Sequence, residues 1–136
     1  MVKLDDGNVV GDPMEKTTLD ALEWNLTKSD VVTPGQNSPH KYPLTIKRRF
    51  QFSSALKRMS TVSALSRGRF IASVKGAPET VKTMLHTVPS HYDDTYKAFT
   101  RRGSRVLALG MKEMEGVSSD KVYIQRYFFL RLIYFR

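Results

Sequence analysis

Phe70-Ile71-Ala72-Ser73-Val74-Lys75-Gly76-Ala77-Pro78-Glu79 holds a strand, its stop and a helix start in one run. Phe70 to Val74 has strand composition, and Pro78 stands at the first helical position, where its missing N–H leaves no hydrogen bond unmade. Upstream, residues 46–54 and 58–65 carry β-branched and aromatic residues in partial alternation. Ser66-Arg67-Gly68-Arg69 supplies the turn into Phe70, so the three runs are expected to pair antiparallel. Downstream, the helix is expected to run to His86 or Val88, ahead of Pro89. A third helix is expected over 91–101 with Gly103 as its stop, and Ser104 to Gly110 reads as a buried strand.

Toward the start of the chain, Val2 to Val10 reads as a short strand with a turn at Asp6-Gly7-Asn8. Asp12 as N-cap, Pro13 at the first helical position and Glu15 as the glutamate of a capping box open a helix expected over 13–27. Leu19, Leu22 and Leu26 recur on its apolar face, with Trp24 on the flank. Residues 28–45, with Pro34, Gly35, Pro39 and Pro43, are expected to form a flexible loop. The order implies an α+β fold, an antiparallel β-sheet flanked by helices.

With 136 residues, 40% hydrophobic and 26% charged, the chain is the size of one domain and can form a core. It has no cysteine, which excludes disulfides, thiolate metal sites and cysteine nucleophiles. Its start lacks the apolar run of a signal peptide, and no stretch is apolar for long enough to span a bilayer as a helix, so this chain by itself is expected to be soluble. The net charge of +9 and pI near 9.9 suggest a polyanionic partner. That charge is unevenly placed. Residues 1–30 hold seven acids against three bases, whereas 47–75 hold eight bases and no acid. The bases alternate with Phe50, Phe52, Leu56, Met59, Val62 and Phe70, a pattern that folds rather than remaining a solvated tail.

Phosphate-binding P-loops and dinucleotide-binding glycine turns are absent from the sequence, and His40, His86 and His91 lack metal-ligand spacing. Four segments nevertheless occur in a fixed order: Gly11-Asp12-Pro13-Met14-Glu15, Phe52-Ser53-Ser54-Ala55-Leu56-Lys57-Arg58-Met59-Ser60, Lys75-Gly76-Ala77-Pro78-Glu79 and Arg105-Val106-Leu107-Ala108-Leu109-Gly110. Read alone, each residue has two roles open to it. Phe52 suits purine stacking or a core; Glu15 suits an amino-group acceptor or a helix cap. Lys57 and Lys75 suit phosphate oxygens or plain solvation. Gly76 permits close approach of a ligand or merely ends the strand, and Arg105 suits a phosphate fork or a rim ion pair.

Taken together, the four segments resemble the nucleotide-binding (N) domain of P-type ATPases, most closely the type-V subgroup A enzymes of the endoplasmic reticulum. Lys-Gly-Ala-Pro-Glu is highly specific to that family, and the resemblance covers residues 3–115. It implies an ATP pocket lined by Glu15, Phe52, Lys57, Lys75, Gly76 and Arg105, with ATP bound as Mg-ATP in the full enzyme. It further implies phosphorylation and actuator domains as partners, a place on the cytosolic face of the endoplasmic reticulum, and membrane contact through parent regions outside this chain. The family's phosphorylated aspartate lies in Asp-Lys-Thr-Gly-Thr, which this sequence lacks, so the chain is expected to bind ATP without hydrolysing it.

The resemblance assigns 1–120 to a nucleotide-binding domain that is incomplete at its N-terminal side. Residues 121–136 form an atypical basic-aromatic tail with six of the 14 aromatics. A truncated or spliced product, a mis-predicted gene end, and a segment that touches a membrane surface are all open for it. Two other functions compete with the ATP reading: a nucleic-acid-binding module built on the 47–75 bases, and a structural interaction domain.

Overall fold

The computed structural model describes residues 1–115 and 128–135. Strands β1 (Val2–Lys3) and β2 (Val9–Val10) form a small antiparallel hairpin, closed by the Leu4 N–H to Asn8 carbonyl bond at 2.8 Å, with Gly7 at a φ of 85°. Helix α1 (Pro13–Ala21) follows. Among the described residues a seven-stranded sheet then runs in chain order: β3 (Asn25–Leu26), β4 (Val31–Thr33), β5 (Leu44–Ser53), β6 (Arg58–Ala64), β7 (Arg69–Gly76), β8 (Arg105–Glu115) and β9 (Phe128–Phe135). Every neighbouring pair is antiparallel. Helices α2 (Pro78–Lys82) and α3 (Tyr92–Arg101) interrupt this meander between β7 and β8. The expected antiparallel sheet is therefore present.

The core lies between one face of this sheet and the α2–α3 pair. Val62, Ala72, Val74 and Ala108 from β6 to β8 meet Val81, Leu85 and Tyr92, with Phe70, Met84 and Tyr96 packed around them. Alanine at 72 and 108 leaves room for the helices to approach. Each fully buried large apolar side chain here contributes about 1.5–3 kcal/mol. The Tyr92 hydroxyl donates to the Pro78 carbonyl at 2.8 Å, and Lys82 pairs with Asp93, so α2 and α3 are tied at two points. Burial pushes the Tyr92 phenol above its ordinary value.

Three helical expectations need correction. α1 ends at Ala21 rather than at 27, because Glu23 turns left-handed at a φ of 56° and closes a Schellman motif: Glu23 N–H to the Asp20 carbonyl at 3.0 Å, Trp24 N–H to the Leu19 carbonyl at 3.2 Å. Leu22 is consequently exposed, and Leu26 is buried as part of a strand instead of a helix. α2 stops at Lys82 and not near His86, since the bonds Met84 to Val81 and Leu85 to Lys82 tighten the chain into three-residue turns. Glu15 does not complete a capping box by reaching back; Asp12 caps Met14 N–H at 2.8 Å, and the Glu15 carboxylate points elsewhere. By contrast α3 begins and ends within a residue of expectation, with Gly103 at a φ of 80° as its stop.

Within 28–45, Val31–Thr33 forms β4, paired to both neighbours. Gly35 backs onto the Glu23 carbonyl so closely that a Cβ would sit 2.1 Å from its oxygen. Of the tail, Phe128–Phe135 pairs with β8 from Met111 to Arg105, making it the outer strand of the sheet. Residues 116–127 and Arg136, over which the rest of the tail expectation falls, lie outside the described residues.

Candidate functional site

A cleft of about 680 Å³ opens where the first turn of α1, the β5–β6 turn, the end of β7 and the start of β8 come together. All six residues singled out in the sequence line it: Glu15, Phe52, Lys57, Lys75, Gly76 and Arg105. They come from four separated segments: antiparallel pairing of β5 to β8 makes three of them adjacent, and α1 brings Glu15 to Lys75 through an ion pair. Met59 lies opposite Lys75, and Lys75 opposite Leu109, while Gly76 faces both Arg58 and Ala108.

Phe52 reaches the cleft through a backbone irregularity. Phe50 pairs with Ser60, but the register then slips so that Ser53 pairs with Arg58. Strict alternation would place Phe52 on the same face as Phe50. The extra residue turns it to the opposite face, where it lines the cleft with Met59, Lys75 and Leu107. Phe52 is 61% exposed, so the core role is excluded.

Lys57 adopts a left-handed φ of 51° in the tight turn, with its N–H bonded to the Ser53 carbonyl at 2.7 Å. Its own carbonyl accepts from Ala77 N–H at 3.1 Å, which fastens the β5–β6 turn to the start of α2. A non-glycine residue held left-handed stores on the order of 1 kcal/mol and is a pattern found at functional turns. Gly76 has a structural reason beyond strand punctuation. A Cβ there would stand 2.5 Å from the Lys57 carbonyl oxygen and 2.9 Å from the Arg58 Cα.

Glu15 and Lys75 form an ion pair across the cleft floor, their side chains 17% and 25% exposed. Met1's amino group also stands 3.3 Å from Glu15. Burial alone would raise the Glu15 carboxyl, but the hydrogen bond and charge of Lys75, helped by the Met1 ammonium, hold it below its ordinary value. Lys57 and Arg105 are exposed and have no ion pair among the described residues; Arg105 rests 3.9 Å from the Met14 sulfur. Asp12 and Glu79 also line the cleft, so its three cations face three carboxylates.

Charge pairing takes up three of the eight bases of the 47–75 stretch. Arg49 forks onto Asp30 at 2.5 and 2.8 Å, Arg69 pairs with Glu113, and Lys75 with Glu15. Arg49 is held above and Asp30 below the ordinary value, each chiefly by their shared hydrogen bond. Among the described residues there is no cluster of three or more His, Asp or Glu able to hold a metal, and no helix long and apolar enough to cross a membrane.

No protein-family model matches the chain. It is similar, however, to an endoplasmic reticulum transmembrane helix translocase of Saccharomyces cerevisiae, 47% identical over 125 residues, covering 90% of this chain and 10% of the relative. A Schizosaccharomyces pombe protein of the same name is 52% identical over 109 residues, covering 76% of this chain and 9% of the relative. A probable manganese-transporting ATPase, PDR2, of Arabidopsis thaliana is 39% identical over 109 residues, covering 80% and 9% respectively. The homologues of this chain are P-type ATPases. The chain spans about a tenth of the length of the curated relatives it matches.

The P-type ATPase resemblance read from the sequence named six residues, and the cleft adds others it did not reach. Tyr96 and Thr100 from α3 join the wall, one helical turn apart on one face. Ser104, 7% exposed, has a hydroxyl without a hydrogen-bond partner among the described residues and lines the cleft beside Arg105. The spacing of Tyr96 and Thr100 showed that they share a helix face; which face looks into the cleft depends on how α3 seats on the sheet.

Proposed function

We propose that this chain is the ATP-binding part of a P-type ATPase that positions the γ-phosphate for transfer to an aspartate in a phosphorylation domain beyond the chain. The observation that carries this is the convergence of Glu15, Phe52, Lys57, Lys75, Gly76 and Arg105 from four segments on one cleft. Its volume lies within the range of small-ligand sites. The exposed Phe52 ring offers a stacking face for adenine, and Glu15 an acceptor for the exocyclic amino group. Lys57, Lys75 and the Arg105 fork would take the phosphates, with magnesium arriving as Mg-ATP.

Such a site contributes orientation rather than bond making. Holding base and phosphates on separate anchors would fix the orientation of the nucleotide, and closure of a whole domain would bring its terminal phosphate to the nucleophile. By similarity to relatives named as endoplasmic reticulum helix translocases, the parent pump would work at that membrane, with this part on the cytosolic face and its actuator and phosphorylation domains as partners.

The test is calorimetric titration of the chain with Mg-ATP. One nucleotide should bind per chain, and Phe52→Ala should weaken binding by about tenfold or more, because stacking on an aromatic contributes roughly 1–3 kcal/mol per base. Equal affinity in both proteins would refute Phe52 as the adenine platform. Binding of a single-stranded oligonucleotide more tightly than ATP, with a steep fall in salt, would favour the nucleic-acid reading instead.

A further inference from the structure

The two ends of the seven-stranded sheet are unlike. At one end β3 is two residues long, too short to template a further strand. At the other, β9 runs for eight residues, and among the described residues its only neighbour in the sheet is β8. In an antiparallel ladder every second residue turns its N–H and C=O away from the neighbour it already has. Along β9 those outward groups meet no strand among the described residues. The strand reads Phe-Phe-Leu-Arg-Leu-Ile-Tyr-Phe, without proline or glycine and with Arg131 as its one charge, so composition does little to block pairing at this edge. Geometry limits it instead: the register with β8 passes from Arg131 to Phe129, which leaves Leu130 as a bulge and Arg131–Phe135 as the regular part of the edge.

We propose that the β9 edge is an interface between two copies of this chain, which pair Arg131–Phe135 antiparallel across a two-fold axis at Ile133. The inference is independent of the nucleotide reading of the cleft. In this register Arg131 of each copy falls opposite Phe135 of the other, and Leu132 opposite Tyr134. Each cation thus meets an aromatic rather than a second cation, and the two arginines stand on the order of 13 Å apart along the strands. The paired sheets form one continuous sheet with β3 at both ends. Because β3 offers so short an edge, the assembly closes at two chains and does not grow into a fibre.

Sedimentation velocity of the full chain over a concentration series should show monomer passing to dimer and nothing larger. In the same wild-type samples, which need no substitution to fold, amide exchange should slow with concentration at alternate residues of 131–135 and stay unchanged in β3. The chain has no cysteine, so a single introduced one reports the register. Oxidised Ile133→Cys should run as a covalent dimer, because Cα atoms directly opposite each other lie about 4.5–5.5 Å apart, within disulfide reach. Phe135→Cys, displaced from its counterpart along the strand, should not. Ile133→Lys sets two ammoniums face to face and should weaken the dimer about tenfold, whereas the β-branched Ile133→Thr should keep it. Wild type that stays monomeric at every concentration overturns the proposal. So does a dimer whose β9 exchange ignores concentration, assembly into larger species, or a monomer that leaves solution only for anionic phospholipid vesicles.

Discussion

At Gly76 the absent side chain does two jobs, letting β7 lie against the β5–β6 turn and keeping the cleft open at its floor. Gly76→Ala places a Cβ 2.5 Å from a backbone oxygen and 2.9 Å from a Cα, neither of which moves cheaply. The substitution should lower stability by about 2 kcal/mol or more, read as a fall in the urea midpoint. An unchanged midpoint would show that the turn yields. Glu15 gives a second expectation. Its folded value lies below the ordinary 4.5, so the pair with Lys75 contributes fully above that value and is lost as pH falls through the folded one. Urea midpoints of wild type and Glu15→Gln, separated at neutral pH, should therefore converge on acidification; a constant gap would refute the pair. The chemistry of all six cleft residues was legible from residue type and motif. Whether Phe52 was exposed or in the core was not, because a register slip one residue long decides its face.

Among the elements, those with marked ends were read well and those without were not. α3 has Gly103 as its stop, and its boundary came out close. α1 ends on a left-handed Glu23, a residue type that rarely adopts that conformation, so nothing in composition announced it. The same lesson gives a stabilising change. In the β6–β7 turn Arg67 and Gly68 are both left-handed, at φ of 62° and 71°, a conformation that Asn-Gly adopts far more readily than Arg-Gly. Arg67→Asn should add about 0.5–1 kcal/mol and raise the melting temperature, provided the turn keeps its shape. A lower melting temperature would mean that the arginine makes a compensating contact. β4 was missed because a strand of three residues carries too short a pattern to stand out from a proline-rich loop.

Over the whole molecule, the sheet's continuity governs how far the core and cleft are supported. β8 is paired on both sides, to β7 and to β9. Leu132 lies opposite Ala108, a core residue, so Leu132→Pro should speed exchange of the β8 amides that face β9 while leaving those that face β7 protected. Equal protection in both proteins would mean that β9 does not pair in solution. The net charge of +9 suggests a polyanionic partner, yet Arg49, Arg69 and Lys75 of the 47–75 stretch are paired with Asp30, Glu113 and Glu15. Two of these partners, Asp30 and Glu15, come from the acidic start of the chain. The sequence by itself determined the antiparallel α+β order, the α3 boundary and the residue types that meet at the cleft, because strand composition, glycine stops and motif chemistry are local. Only the tertiary structure decided which face Phe52 occupies, what Gly76 makes room for and which cations have no ion pair among the described residues. Register, close backbone approach and ion pairing join residues far apart in the chain, and no local pattern encodes them.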